Sequence, residues 1–177
     1  LDRLKAELKK QLPEIEANGD WLWHHPEAGF KETETQKYCL EVLKNHGFEA
    51  CTWPDVTGFT CTYDTGRPGP CVMIMGEMDS LICYSHPDCN PETGAAHACG
   101  HSIQVATAMG AFITLTESGV LENFGGKVML AGVPAEECLE IEWRTREIQK
   151  GRLHYLCGKA ELLYRGAFDG VDIVISM

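Results

Sequence analysis

The sequence predicts an α/β domain in which helices flank a largely parallel sheet. Three features carry this expectation. Cys71–Gly76 (CVMIMG) and Gly126–Pro134 (GKVMLAGVP) are short and almost wholly apolar, as strands covered on both faces are. A helical stretch separates them. A third strand-like run, VDIVISM over Val171–Met177, follows two further helices. Strand, helix, strand, helix, strand is the alternation that builds parallel sheets through helical crossovers.

In chain order, residues 1–23 read as a charged helix, and HHPEAGF (His24–Phe30) as a turn marked by Pro26 and Gly29. Thr33–Asn45 is a second helix, with Tyr38, Leu40, Val42 and Leu43 on its inner side and Gly47 ending it. Short strands are expected at 49–53 and 58–63, ahead of the turn TGRPGP. After Cys71–Gly76 a loop leads to a helix capped by Ser102 and running to Ser118. Its Ala106, Ala108, Gly110 and Ala111 are small enough to pack closely on a sheet. Ile141–Lys150 and Lys159–Arg165 are the remaining helices. Residues 1–177 contain neither a repeat nor a low-complexity segment.

Composition narrows the class. Apolar residues make up 44% and charged residues 23% of the 177, the balance of a globular chain rather than a disordered one. A formal charge of -11 with no basic stripe argues against a nucleic-acid partner. No apolar run is long enough to span a membrane, and LDRLKAELKKQL is too charged for a signal peptide. The chain starts with Leu, which leaves room for residues trimmed ahead of it. Nine cysteines without a CxxC pair read as reduced thiols of a cytoplasmic protein, and a disulfide framework is the minor reading.

The chemistry concentrates where strands end. Open α/β sheets bind ligands beyond the carboxyl ends of their strands. Cys71–Gly76 runs into Glu77 and Asp79, and Gly126–Val133 runs into Pro134, Ala135, Glu136 and Glu137. Between them GAAHACGHSIQ places His97, Cys99 and His101 at every second position, so that in an extended segment all three would face one spot. A thiolate, an imidazole and a carboxylate form a zinc-type ligand set, with manganese, cobalt and nickel also compatible. Glu136 and Glu137 point different ways, so one can bind metal while the other moves a proton. Asp79 could orient a ligating histidine. The competing readings are a nucleophilic Cys99 paired with His101 or His97, and packing without chemistry.

HHPEAGF, GEMDS, HACGH and VPAEE, in that order from about Asp20 to Met177, resemble the amidohydrolase branch of the M-twenty metallopeptidases, the aminoacylase and carboxypeptidase G relatives. The resemblance implies a zinc-exopeptidase-like catalytic domain, of which residues 1–177 are the N-terminal portion, lacking a lid domain and a C-terminal return. It implies that Cys99, His101 and Glu137 bind metal, that Glu136 is the general base and that Asp79 supports the site. Two divalent metal ions, zinc foremost, would activate water to hydrolyse an amide in a small N-acyl amino acid or dipeptide. A homodimer through the lid, and two further ligand histidines beyond Met177, are also implied. No ligand role is carried onto His97. Glu77, Ser102 and Gln104 replace the Asp, Asp and His usual in the motifs. The alternatives are a binding or regulatory relative without catalysis, and a non-functional fragment.

Overall fold

The computed structural model describes residues 1–176. The alternation of side chains along the central strands divides the core in two. Ile74 of strand β3 (Cys71–Glu77) and Leu130 of β6 (Lys127–Val133) face a cluster built with helices α1 (Asp2–His24), α2 (Thr33–Asn45) and α3 (His101–Glu117). Met73, Met75, Ala131 and Val133 face the opposite way, onto Leu153 and onto Leu162 of helix α5 (Gly158–Tyr164). Helix layers therefore cover both faces, and strands buried on both sides need continuous apolar sequence.

The main sheet is ordered β1-β2-β6-β3-β7, where β1 is Ala50–Thr52, β2 is Phe59–Asp64 and β7 is Ile173–Ser176. β3 pairs in parallel with β6 and β7, whereas β2 is antiparallel to both β6 and β1. β2 alone runs against the other strands, so the largely parallel sheet holds. The register sets Glu77 of β3 opposite Val133 of β6. The expected last strand is present from Ile173, and Met177 lies outside the described residues. β7 has Ile173, Val174 and Ile175 exposed at 51%, 44% and 51%. No described helix is long and apolar enough to cross a membrane.

The small residues of α3 serve two neighbours. A Cβ on Gly76 would lie 2.7 Å from the Val105 Cα, so β3 and α3 approach backbone to backbone. A Cβ on Gly110 would lie 2.4 Å from Ile15, so this glycine admits α1 rather than the sheet. Two expectations are corrected here. Ser102 does not cap α3; the helix starts at His101 after Gly100 turns the chain at φ 93, and Ser102 is buried one residue inside. The segment around His97 is not extended throughout either: after β5 (Ala95–Ala96), which pairs with β4 (Leu81–Ile82), the chain turns through 98–100. The turn is available because Gly100 tolerates positive φ. Helix α4 (Ile141–Gln149) is as expected to within one residue.

An ionic knot joins the first three helices. The His46 Nδ1 lies 2.5 Å from Glu117 and its Nε2 3.1 Å from Glu14, with Lys10 also 3.6 Å from Glu117. Burial alone would depress the His46 pKa, but the bonds to Glu117 and Glu14 overcome it and raise it. A raised histidine pKa contributes stability that is complete below the unfolded value and lost as pH climbs through the folded value. His46→Gln is therefore expected to cost about 1 kcal/mol at pH 6, kept small because Glu14 is partly solvated. The difference should narrow by pH 9. Urea denaturation of both proteins at the two pH values checks this; a gap independent of pH rejects it.

Candidate metal centre

Three strand or helix ends meet at one rim. At the end of β3, Met78 continues toward β6 by donating its N–H to the Val133 carbonyl at 2.9 Å. Asp79 follows, fully buried, with its Oδ2 accepting the Glu137 N–H at 3.0 Å. Ser80 donates through its N–H and hydroxyl to the Glu27 carbonyl at 2.8 and 2.9 Å. The Glu27 carboxylate in turn accepts the Glu34 and Thr35 N–H groups at 3.2 and 2.8 Å, so the HHPEAGF turn caps α2 and holds it against the rim.

At the end of β6 the chain turns sharply. Ala135 sits at φ 50, left-handed for a non-glycine residue. Its N–H donates to Glu32 Oε1 at 2.8 Å and its carbonyl accepts the Gly158 N–H at 3.0 Å. Burial pushes the Glu32 carboxyl up to about 7, against the opposing effect of its Thr57 hydrogen bond.

His101, as the first residue of α3, is almost entirely buried between the two strand ends. Its Nδ1 lies 3.0 Å from the Asp79 carbonyl, which accepts its proton, and 3.2 Å from Asp79 Oδ1. That fixes the tautomer in which Nε2 carries a lone pair outward. Nε2 faces Glu77 Oε2 at 3.1 Å and Glu136 Oε2 at 3.9 Å. Without a cation, burial disfavours the charged ring, yet the bonds to Asp79 and Glu77 outweigh it and raise the pKa to about 11. This concentration of negative charge around one imidazole is what a bound cation would neutralise.

Donor atoms of Cys99, His101 and Glu137 all lie within 4.8 Å of one another, and those of Glu77, His101 and Glu136 form a second such set. The hydrogen bond with Glu137 raises the Cys99 pKa, and burial adds to it: thiolate and carboxylate repel until a cation lies between them. Lys159 of α5 forms a hydrogen-bonded ion pair with Glu77 and lies 3.5 Å from Glu136 Oε1. Of the residues singled out from sequence, Cys99, His101, Glu136, Glu137 and Asp79 are thus brought together. His97 joins neither set. It is buried, neither ring nitrogen has a hydrogen-bond partner among the described residues, and burial drives its pKa down to about 4. Lys159 and Glu32 are the participants that sequence reasoning missed, and no local pattern marks either.

No protein-family model matches the chain. An N-acyl-L-amino acid amidohydrolase of Geobacillus stearothermophilus is 26% identical over 97% of this chain and 43% of its own length. Thermostable carboxypeptidase 1 of Saccharolobus solfataricus is 30% identical over 98% of this chain and 42% of its own. The solved structure of the YXEP protein of Bacillus subtilis, described as a dinuclear metal binding peptidase of the M-twenty family, superposes with a TM-score of 0.72. It is 24% identical over 96% of this chain and 42% of that one. Over nearly its whole length this chain is similar to amidohydrolases and peptidases of the M-twenty kind. The chain spans about two fifths of the length of the curated relatives it matches. The shared part is the one in which β3, α3 and β6 of the M-twenty fold deliver their ends to the rim.

Proposed function

We propose that the complete protein hydrolyses an amide bond in a small N-acyl amino acid or dipeptide at a divalent-metal centre. One observation carries this: a thiol and an imidazole from the start of α3 and a carboxylate from beyond β6 converge within 4.8 Å, with a second carboxylate, Glu136, beside them. The donor set suits a divalent cation, zinc first and manganese, cobalt or nickel as alternatives. His101 belongs to both sets, so the described residues complete one trio at a time. A dinuclear centre, in keeping with the resemblance, therefore needs further donors.

Bound metal would supply Lewis-acid polarisation of the amide carbonyl and a more acidic water. The chain's residues do the rest. Asp79 fixes His101 and the Glu137 backbone. Glu136 takes a proton from the attacking water and returns it to the amide nitrogen as the C–N bond breaks. Lys159 holds that carboxylate at the rim. A thiol-hydrolase reading loses ground because the neighbour of Cys99 is Glu137, which raises its pKa, rather than an activating base.

Residues 1–177 are read as the N-terminal portion of the catalytic domain, a reading supported by the 43% and 42% shares above. Nine cysteines without a CxxC pair favour a reducing, cytoplasmic setting. Dimerisation through an inserted lid rests on the family resemblance. The test is hydrolysis of a panel of N-acyl amino acids and dipeptides by the complete protein. A strong chelator is expected to abolish turnover, and zinc, manganese, cobalt or nickel to restore it. Turnover indifferent to chelation rejects the metal mechanism.

A further inference from the structure

Glu32 is a carboxylate with no solvent exposure and no ion-pair partner among the described residues. Burying such a group is expensive unless its oxygens are satisfied. Both are: Oε2 accepts the Thr57 hydroxyl at 2.5 Å and Oε1 the Ala135 N–H at 2.8 Å. Ala135 is the residue held left-handed, immediately before the acidic doublet. Such a conformation in a non-glycine residue persists where its surroundings over-determine it.

The surroundings here do. A Cβ on Gly29 would lie 2.7 Å from the Ala135 Cα, and a Cβ on Gly158 would lie 1.7 Å from the Pro134 carbonyl oxygen. The turn is thus hemmed in on two sides by backbone that approaches as closely as glycine permits. On the far side of the doublet, Asp79 grips the Glu137 N–H at 3.0 Å. Two buried carboxylates, from the loop before α2 and from the end of β3, therefore bracket Glu136 through the N–H groups on either side of it. This bracket decides which way two adjacent glutamates face. If the Ala135 turn relaxed toward ordinary helical or extended geometry, the directions of Glu136 and Glu137 would change together.

We propose that Glu32 is a positioning residue for the proton-transfer and metal-binding glutamates, acting through the Ala135 N–H. The proposal rests on the reading of Glu136 and Glu137 given above. Its test compares Glu32→Gln, Glu32→Ala and Glu32→Asp in the complete protein. A glutamine oxygen can still accept from Ala135 while its amide donates to Thr57, whose hydroxyl turns to accept. Glu32→Gln is therefore expected to keep kcat within about threefold. Glu32→Ala strands the Ala135 N–H, and misplacement of about 1 Å is expected to lower kcat about 100-fold at saturating metal. KM should change far less, because the displacement is confined to the turn that carries Glu136 and Glu137. Glu32→Asp, one methylene shorter, is expected to fall between the two and serves if the alanine variant does not fold.

A merely structural Glu32 would instead lower thermal stability and leave kcat of the folded fraction unchanged; that result overturns the proposal. A crystal structure of Glu32→Ala or Glu32→Asp supplies the arm that does not depend on the reaction. Ala135 leaving the left-handed region with the two glutamates reoriented supports the proposal even if no amide substrate is found. Ala135 and both glutamates unmoved overturns it even if hydrolysis is demonstrated.

Discussion

Glu136→Gln in the complete protein is expected to lower kcat for amide hydrolysis about 1000-fold while leaving cation binding intact, the scale on which a positioned general base contributes. The geometry separates the two effects. Glu137, not Glu136, belongs with Cys99 and His101 in the first donor set, and Asp79 holds Glu137 through its backbone. A glutamine at 136 keeps the volume and the hydrogen-bonding reach of the side chain but cannot take the water's proton. Metal content measured on the purified variant should match that of the parent. A variant that retains parental turnover removes Glu136 from the mechanism. One that loses metal along with activity makes it a ligand, which the Glu77, His101 and Glu136 set would then explain.

Asp79→Asn is expected to weaken cation affinity by about 10- to 100-fold, as loss of a partner that orients a ligand commonly does. Asp79 accepts the Glu137 N–H through Oδ2 and lies 3.2 Å from the His101 Nδ1 through Oδ1. An asparagine has one oxygen for these two sites. If it keeps the Glu137 bond, its NH2 group points at the Nδ1–H that the Asp79 backbone carbonyl still accepts, so two donors oppose each other and the ring is pushed from its place. If it turns over, the Glu137 N–H loses its acceptor inside a buried site. Either way one donor of the trio is misdirected. Competition against a fluorescent chelator measures the shift; unchanged affinity means Asp79 does not orient the site.

The sequence carried the parts of this molecule that local physics writes. Apolar runs marked β3 and β6, helical periodicity marked α2, and the strand-end positions of Asp79, Glu136 and Glu137 followed from the order of elements. Ser102 misled because a serine before a helical run is a good capping signal, whereas Gly100 had already turned the chain at φ 93. The alternate spacing of His97, Cys99 and His101 also misled in part. Cys99 and His101 meet through a turn and a helix start, and His97, though buried near enough to His101 to feel its charge, joins neither donor set. Lys159 and Glu32 were illegible for a different reason. Their partners lie 82 and 103 residues away, at Glu77 and Ala135. Neither side chain belongs to a periodic pattern, and only the assembled sheet brings those distant atoms into contact.

The in-register alignment of Glu77 with Val133 has a consequence for which changes in length the protein can tolerate. Successive strand residues face opposite sides, so one residue inserted into or deleted from β6 would transpose everything after it. The acidic doublet would then arrive a step early or late, with its two carboxylates trading places at the rim. The lengths of these paired strands act as a vernier for the chemistry, and are constrained as tightly as the identity of the glutamates they carry.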